Sequence, residues 1–176
     1  AWVELFEEDQ AVGALVRGVG PARVRREHTQ EPFQALCESI SYQQISGGAA
    51  ASILKKSVAL WPKKKFPTPQ DVIKIKIEKL RSGGVSPQKA AYLKDLAAKF
   101  TDGTINPKLF STMTDAEIIA HVTAVKGIGE WTAQMFLMFT LARSDVLPTG
   151  DLGIQKAFQK LFKLRAKPSP TKMEHL

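Results

Sequence analysis

Two glycines separated by one residue are the most chemically informative feature of this 176-residue sequence. They are Gly127 and Gly129, within the segment 125–132 that reads V-K-G-I-G-E-W-T, between two predicted helices. Glycine permits a tight turn and lets another backbone come close. The second helix then begins with unpaired N–H groups, where the helix dipole favours an anion such as a DNA phosphate. An ordinary turn between two helices is the alternative.

A single carboxylate follows this hairpin at a fixed distance. Asp151 stands 22 residues after Gly129 and precedes a predicted helix over Ile154–Leu161. Aspartate is favoured just before a helix because its side-chain oxygen accepts a backbone N–H. Taken alone the residue is therefore most simply a helix cap, and only its spacing from the hairpin suggests a further role.

The composition favours a polyanionic partner. The chain carries 25 Lys and Arg against 17 Asp and Glu, a net charge of +8, although a solvated lysine surface would look the same. The single Cys37 excludes an internal disulfide and a four-cysteine metal site, and the scattered His28, His121 and His175 lack the spacing of zinc ligands. No apolar run reaches the roughly 18 residues of a membrane span. We expect an intracellular protein without membrane contact.

The sequence reads as helices joined by short turns, which predicts an all-α fold. Capping residues mark helix starts at Thr68-Pro69, at Ser86-Pro87 and at the pair Thr114 and Glu117. The segment Val72–Ile77 alternates like a strand, but its proline-marked start and the following Glu78-Lys79-Leu80 favour a helix. The segment Trp131–Leu141 is almost entirely apolar, which predicts a helix buried on most sides.

Four segments together resemble the helix-hairpin-helix DNA glycosylase superfamily, and within it the alkylbase group of 3-methyladenine DNA glycosylase II type. They are the hairpin, the apolar helix after it, the loop D-V-L-P-T-G-D and the earlier Y-Q-Q-I-S at 42–46. The resemblance runs from about Phe33 to Phe162. It implies one glycosylase domain over 1–176, with a cleft between two helical lobes and the motif at about 114–142. Relatives continue past the equivalent of 168–174 into a further helix, whose absence after Leu176 would open one pocket wall.

The resemblance implies that Asp151 is the catalytic carboxylate. Breaking an N-glycosidic bond builds positive charge on the deoxyribose, which a fixed anion stabilises, and the same group can orient or deprotonate water. An alkylated purine is already cationic and leaves without a general acid. Relatives that also cut the strand carry a lysine where this chain has Trp131, so the resemblance implies a monofunctional hydrolase that leaves an abasic site. Tryptophan also attracts cationic bases, although a core aromatic is the alternative.

The resemblance also assigns the remaining site residues. The base pocket is expected from Trp131, Tyr42, Gln43 and Met135. The DNA contacts are expected from Lys126, Gly127, Gly129, Thr132, Lys89 and Gln44, where Gln44 fills the space that the flipped base leaves. Polar residues at a helix end and ordinary surface lysines are the alternatives. Relatives often hold a monovalent cation on hairpin carbonyls, here those of Thr123, Val125 and Ile128, so a structural Na⁺ or K⁺ ion is implied but no side-chain metal site and no other cofactor.

The expected partner is double-stranded DNA with a damaged base, bound by a monomer in the nucleus of a eukaryote or the cytoplasm of a bacterium. Three rival functions remain open. They are a catalytically weak or inactive homologue that binds abasic or damaged DNA, a hairpin module of a larger repair or replication assembly, and a bifunctional enzyme for oxidised bases. The module leaves Asp151 and the 42–44 segment without a purpose, and the bifunctional enzyme lacks its lysine.

Overall fold

The computed structural model describes residues 10–20 and 31–176, and within these ranges it contains helices and no strand, which confirms the all-α prediction. The helices are α1 (Gln10–Val19), α2 (Pro32–Tyr42), α3 (Gly47–Val58), α4 (Pro69–Lys74), α5 (Ile77–Ser82), α6 (Pro87–Thr101), α7 (Asp115–Thr123), α8 (Glu130–Phe139), α9 (Leu152–Leu161) and α10 (Pro170–Glu174), with a 3₁₀ turn at Pro107–Leu109. Within the described residues, 31–141 form one compact unit, and 10–20 with 142–176 form another. The cleft expected between two lobes stays a prediction.

The larger unit is built around α6, which packs against α2, α4 and α5, while α8 packs against α7 and α2. Its core side chains are apolar and almost wholly removed from solvent. The largest are Leu36, Ile40, Leu80, Leu96, Ile105, Ile118 and Leu137. Burying each such side chain contributes about 1.5–3 kcal/mol. Because α6 packs against three other helices, it is a stable base for the loops at its first turns.

The predicted helix starts are confirmed by their capping contacts. The Thr68 side chain accepts the Asp71 N–H while the Asp71 carboxylate accepts the Thr68 N–H, and Thr114 and Glu117 form the same reciprocal box. The Ser86 hydroxyl accepts the N–H of Lys89 at 3.2 Å, which starts α6. These local contacts fix where the helices begin.

The helix predicted through Val72–Ile77 is interrupted. Ile75 is extended, with φ −68° and ψ 140°, so α4 ends at Lys74 and α5 begins at Ile77. The Lys94 ammonium of α6 donates hydrogen bonds to the carbonyls of Ile73 and Ile75. Because these carbonyls are bound from outside the helix, the break leaves few unpaired backbone groups. The prediction of a helix through this segment is therefore wrong at Ile75 and Lys76.

The smaller unit contains the predicted helix after Asp151, which begins two residues earlier than expected, at Leu152. The Gln155 amide donates to the Thr149 carbonyl at 2.9 Å and ties the helix to the preceding loop. The rings of Phe158 and Phe162 lie 5.6 Å apart at its end. These contacts hold the loop and the helix start together around Asp151.

Candidate functional site

The glycine hairpin, residues 124–129, joins α7 to α8 as the sequence predicts. Gly127 has φ +83°, and a Cβ there would lie 2.1 and 2.2 Å from two ring carbons of Tyr92. No side chain fits that space, and φ is in the region that favours glycine. The Ile128 N–H donates to the Val125 carbonyl at 3.1 Å and closes the turn. Gly127 is therefore required by the fold itself.

Gly129 differs from Gly127 because the protein leaves space around it. It is the N-cap of α8, with φ −95°, and a Cβ there would meet nothing within 4 Å. The first N–H groups of α8 have no helical partner, and the helix dipole adds positive potential there. The exposed Lys126 adds a positive charge in the same hairpin. The space and the positive potential suit an anion that approaches the backbone closely, and the phosphate contact of the hairpin stays a prediction.

Helix α6 contacts the hairpin through two residues one turn apart. Tyr92 lies under Gly127, and the Asp95 carboxylate accepts the Lys126 N–H at 2.8 Å and the Lys99 ammonium at 2.9 Å. Burial raises the pKa of the Asp95 carboxyl, but these hydrogen bonds outweigh it, so its pKa is lowered overall. The hairpin is thus fixed to the helix around which the larger unit is built.

Replacing this carboxylate is expected to weaken the fold in a pH-dependent way. Asp95→Asn should lower the free energy of unfolding at pH 7 by about 1–2 kcal/mol, because a charged acceptor is lost. Since the folded-state pKa is lowered, the stabilisation is present above the unfolded value of about 3.9 and is lost as pH falls through the folded value. Urea unfolding at pH 7 and at about pH 3 should show the difference shrink in acid. Equal stability of both proteins at pH 7 would contradict this role.

A second loop, the 42–44 turn, follows α2 and faces the hairpin. Gln44 is exposed and has φ 57°, an uncommon conformation for a residue other than glycine. The Gln43 amide donates to the Gly127 carbonyl at 2.8 Å, across 84 residues of sequence. The Lys89 ammonium donates to the carbonyls of Ser41 and Gln43, both at 2.7 Å. The turn is therefore tied to both α6 and the hairpin.

The structure changes the interpretation of Lys89. Lys89 was predicted to contact a DNA phosphate, yet the residue is half-buried and its ammonium is already directed at the carbonyls of Ser41 and Gln43. Burial lowers the pKa of Lys89. Sequence spacing could not reveal this contact, because the partners lie 46 and 48 residues away. The phosphate contact stays a prediction, and it would have to share the ammonium with the turn.

A cavity of about 470 Å³ lies between α2 and α8, and we call it the α2–α8 cavity. Its walls include all four residues predicted for the base pocket, Trp131, Tyr42, Gln43 and Met135, and also Ala35, Glu38, Ser39, Thr132, Phe136, Phe139 and Thr140. Trp131 and Tyr42 are 50% and 42% exposed. The prediction that the helix after the hairpin is buried on most sides is therefore confirmed, and the face that stays open carries Trp131 and Phe139 and lines this cavity. The wall also contains the carboxylate of Glu38, which was not among the predicted site residues.

Thr132 also differs from its predicted role. Its side chain is 8% exposed and lines the α2–α8 cavity. A hydroxyl in that position has little access to a DNA backbone. Thr132 lies in the first turn of α8, so the group that it offers to a phosphate is its backbone N–H.

Asp151 lies in the smaller unit at the start of α9. Its Oδ1 accepts the Ile154 N–H at 2.9 Å, so the helix cap is confirmed. The side chain is half-buried, and a Cβ at Gly153 would come within 3.0 Å of the same oxygen. The cap and the small neighbour fix the orientation of the carboxylate while solvent still reaches it. Its predicted contact with a flipped nucleotide stays a prediction.

The monovalent cation that the resemblance implies on the hairpin carbonyls stays a prediction, and two of these carbonyls have properties that suit it. Thr123 ends α7, where the last carbonyls have no helical partner and the dipole is negative. The Val125 carbonyl accepts one N–H, from Ile128, and a carbonyl oxygen has a second lone pair. Neutral carbonyl oxygens are the ligands that K⁺ and similar monovalent cations take in proteins.

In the described residues, no helix is long and apolar enough to cross a membrane.

Comparisons with known proteins agree with this geometry. The family model described as "HhH-GPD superfamily base excision DNA repair protein" matches residues 37–176. "DNA-3-methyladenine glycosylase 1" of Schizosaccharomyces pombe is 33% identical over 98% of this chain and 76% of its own length. A solved structure of a 3-methyladenine DNA glycosylase from the same yeast, in complex with abasic DNA, matches with a TM-score of 0.80 and 30% identity, covering 99% of this chain and 87% of that one.

A second solved structure, a DNA-3-methyladenine glycosidase from Bacillus halodurans, has a TM-score of 0.83 and 31% identity. The match covers 90% of this chain and 71% of that one. The family model spans well over half of the chain and includes both the hairpin and Asp151. This chain belongs to the HhH-GPD superfamily of base excision DNA repair proteins.

Proposed function

We propose that this protein is a monofunctional DNA glycosylase that hydrolyses the N-glycosidic bond of alkylated purines, such as 3-methyladenine and 7-methylguanine, in double-stranded DNA and leaves an abasic site. The observation that carries the proposal is the α2–α8 cavity, whose wall contains the exposed aromatic side chains of Trp131 and Tyr42. Trp131 lies in the first turn of α8, just after the glycine hairpin. Its volume of about 470 Å³ lies within the roughly 300–1,000 Å³ of small-ligand sites. The named relatives act on 3-methyladenine.

The base would enter this cavity after leaving the duplex. Unstacking costs a few kcal/mol, and damaged bases leave most easily. An alkylated purine carries positive charge, which the tryptophan face attracts. Glu38 in the same wall adds a negative charge that favours a cationic base over a neutral one.

The hairpin and the 42–44 turn would hold the DNA. A phosphate would bind the first N–H groups of α8 beside Gly129 and the Lys126 ammonium, which fixes register without reading sequence. Gln44, exposed at the tip of its turn, would fill the space that the base leaves. A Na⁺ or K⁺ ion on the carbonyls of Thr123, Val125 and Ile128 would strengthen the same grip by adding positive charge under the phosphate.

Asp151 would supply the chemistry. As the bond between C1′ and the base nitrogen breaks, its electron pair goes to the base and neutralises the cationic ring. The sugar becomes oxocarbenium-like, and a fixed carboxylate stabilises that charge. Water then bonds to C1′ and gives a proton to the carboxylate or to solvent. No amine stands at Trp131, so the chain offers no group there for a Schiff base, and the strand would stay intact.

Removing the indole of Trp131 is expected to slow the release of cationic bases more than the release of neutral ones. Trp131→Ala should lower the single-turnover release of 7-methylguanine by about 30-fold, equivalent to a desolvated cation–π contact of about 2 kcal/mol. Release of a neutral base such as hypoxanthine should change less. Phe139→Ala is the matched control, because Phe139 also lies exposed on α8 and lines the cavity. Equal losses for both bases would argue against recognition of charge by Trp131.

The proposal is tested by one assay across methylated, deaminated and ethenoadenine-containing duplexes, with binding to abasic DNA measured beside it. We expect base release from the methylated duplex above the others. Tight binding to abasic DNA with no release from any duplex would instead establish a non-enzymatic binder, the rival supported by the solved complex of a relative with abasic DNA. A covalent adduct trapped by borohydride would contradict the monofunctional assignment.

A further inference from the structure

The Lys89 ammonium binds backbone carbonyls at the end of a helix to which it does not belong. It donates to the Ser41 and Gln43 carbonyls at 2.7 Å each, at the end of α2. These are carbonyls of the last turn and the C-cap, which have no helical partner of their own. A cation at a helix C-terminus also interacts favourably with the dipole. Lys89 therefore stabilises the chain at the point where α2 becomes the 42–44 turn.

The next residue along the turn is the one that most needs this support. Gln44 has φ 57°, and residues other than glycine enter the left-handed region at an energetic cost. The Gln43 side chain adds a second tie, to the Gly127 carbonyl at 2.8 Å. A second cavity, of about 460 Å³, is lined by Gln43, Gln44, Lys89 and Gly127, so the turn is open to solvent and is not held by packing alone.

We propose that Lys89 is a positioning residue, which holds the 42–44 turn, with Gln44 in its left-handed conformation, at a fixed place beside the hairpin, so that Gln44 enters the duplex when the base leaves. The inference rests on the proposed function, since it concerns the step that opens the DNA. Lys89 would touch neither the base nor the sugar. Its effect would be confined to substrates whose damaged base is stacked in a duplex.

The position of Lys89 explains how this support reaches the turn. It lies in the first turn of α6, whose Ser86 cap fixes the helix start, and α6 also holds the hairpin through Tyr92 and Asp95. One helix thus sets the distance between the turn and the phosphate-binding hairpin. The turn and the hairpin would then act on neighbouring nucleotides in a fixed register.

The test compares a stacked with an unstacked lesion. Lys89→Met should lower single-turnover release of 7-methylguanine from a duplex by about 10- to 100-fold, the size of effect expected when a group is misplaced by about 1 Å. Release from the same base in a single-stranded oligonucleotide should fall by no more than about 3-fold, because no stack has to be opened. A loss of the same size on both substrates, or no loss on either, would overturn the proposal.

Lys94 provides a matched control. Its ammonium also donates to two carbonyls, those of Ile73 and Ile75, at the end of a different helix. Lys94→Met removes the same kind of contact, but at the carbonyls of Ile73 and Ile75 and not at the 42–44 turn. It should therefore lower stability without changing the ratio of the duplex rate to the single-strand rate. A change of that ratio in Lys94→Met as large as in Lys89→Met would show that the effect is only a loss of stability, and would overturn the proposal.

A chemical rescue separates the ammonium from the folding of the variant. Lys89→Cys is purified once and divided, one half alkylated with 2-bromoethylamine to restore an ammonium, the other with iodoacetamide. The remaining Cys37 is buried, which raises the pKa of its thiol and protects it. The aminoethylated half should recover most of the duplex rate, and the carbamidomethylated half should not. Equal rates of the two halves would refute the role of the charge.

The failure of this inference is distinguishable from the failure of the proposed function. If the unaltered protein releases no base from either substrate, the glycosylase proposal fails. The positioning role is then read from 2-aminopurine placed opposite an abasic site, whose fluorescence rises when the turn disturbs the stack. Lys89→Met should abolish that rise while abasic DNA still binds, and an unchanged rise would reject the role.

Discussion

Asp151→Asn is expected to lower single-turnover release of 7-methylguanine from duplex DNA by about 10²- to 10³-fold. The physical reason is electrostatic: removing one group that stabilises the charge of a transition state typically costs this much. Asparagine has the same shape but no charge, so it cannot balance the oxocarbenium-like sugar or accept a proton from water. The measurement is quenched-flow or manual quench with chromatography of the free base, with enzyme in excess.

Folding should not change, and this makes the variant informative. Asparagine is as good a helix cap as aspartate, so the Ile154 N–H keeps its acceptor and α9 keeps its start. Asp102→Asn is the control, because Asp102 also accepts a backbone N–H, that of Thr104, at 2.8 Å, in the other unit. It should release base at the normal rate. Undiminished release by Asp151→Asn would remove the catalytic role assigned to this carboxylate.

Gly127→Ala is expected to have the largest effect on stability, a loss of about 3 kcal/mol. A Cβ would lie 2.1 Å from a ring carbon of Tyr92, and φ +83° strains any L side chain. Overpacking costs about 1–3 kcal/mol and a left-handed conformation about 1–2 kcal/mol. The corresponding fall in melting temperature is roughly 6–12 °C, measured by circular dichroism.

Gly129→Ala is the control for that experiment, since a Cβ there meets nothing within 4 Å. Its stability should stay within about 0.5 kcal/mol of the parent protein, while its affinity for duplex DNA falls because the methyl group keeps the phosphate away from α8. Adding Tyr92→Ala to Gly127→Ala should recover part of the lost stability by removing the clash. If Gly127→Ala melts at the parent temperature, the close approach of Tyr92 to the hairpin is wrong.

The parts of the fold that sequence predicted are those fixed by neighbours in the chain. The capping pairs at Thr68 and Thr114 span three residues, and a capping side chain needs no distant partner. The hairpin was also predictable, because the need of Gly127 for a left-handed turn is local. Asp151 as a cap follows from the same kind of contact.

The parts that sequence missed depend on contacts between distant segments. The Lys89 ammonium reaches back 46 and 48 residues to the 42–44 turn, and the Gln43 amide reaches forward 84 residues to Gly127. The break at Ile75 depends on Lys94 in another helix. In each case a side chain binds a backbone carbonyl, which carries no residue-specific signal. The exposure of Trp131 similarly depends on which face of α8 the core covers.

The most direct test of the central claim counts products from one substrate. A duplex with a single 7-methylguanine and a labelled strand is incubated with the protein, and free base and strand breaks are measured before and after alkali. The proposed reaction predicts free base and alkali-labile sites in equal amounts, with the strand intact until alkali is added. Strand breakage without alkali, or DNA binding with no free base, would contradict it.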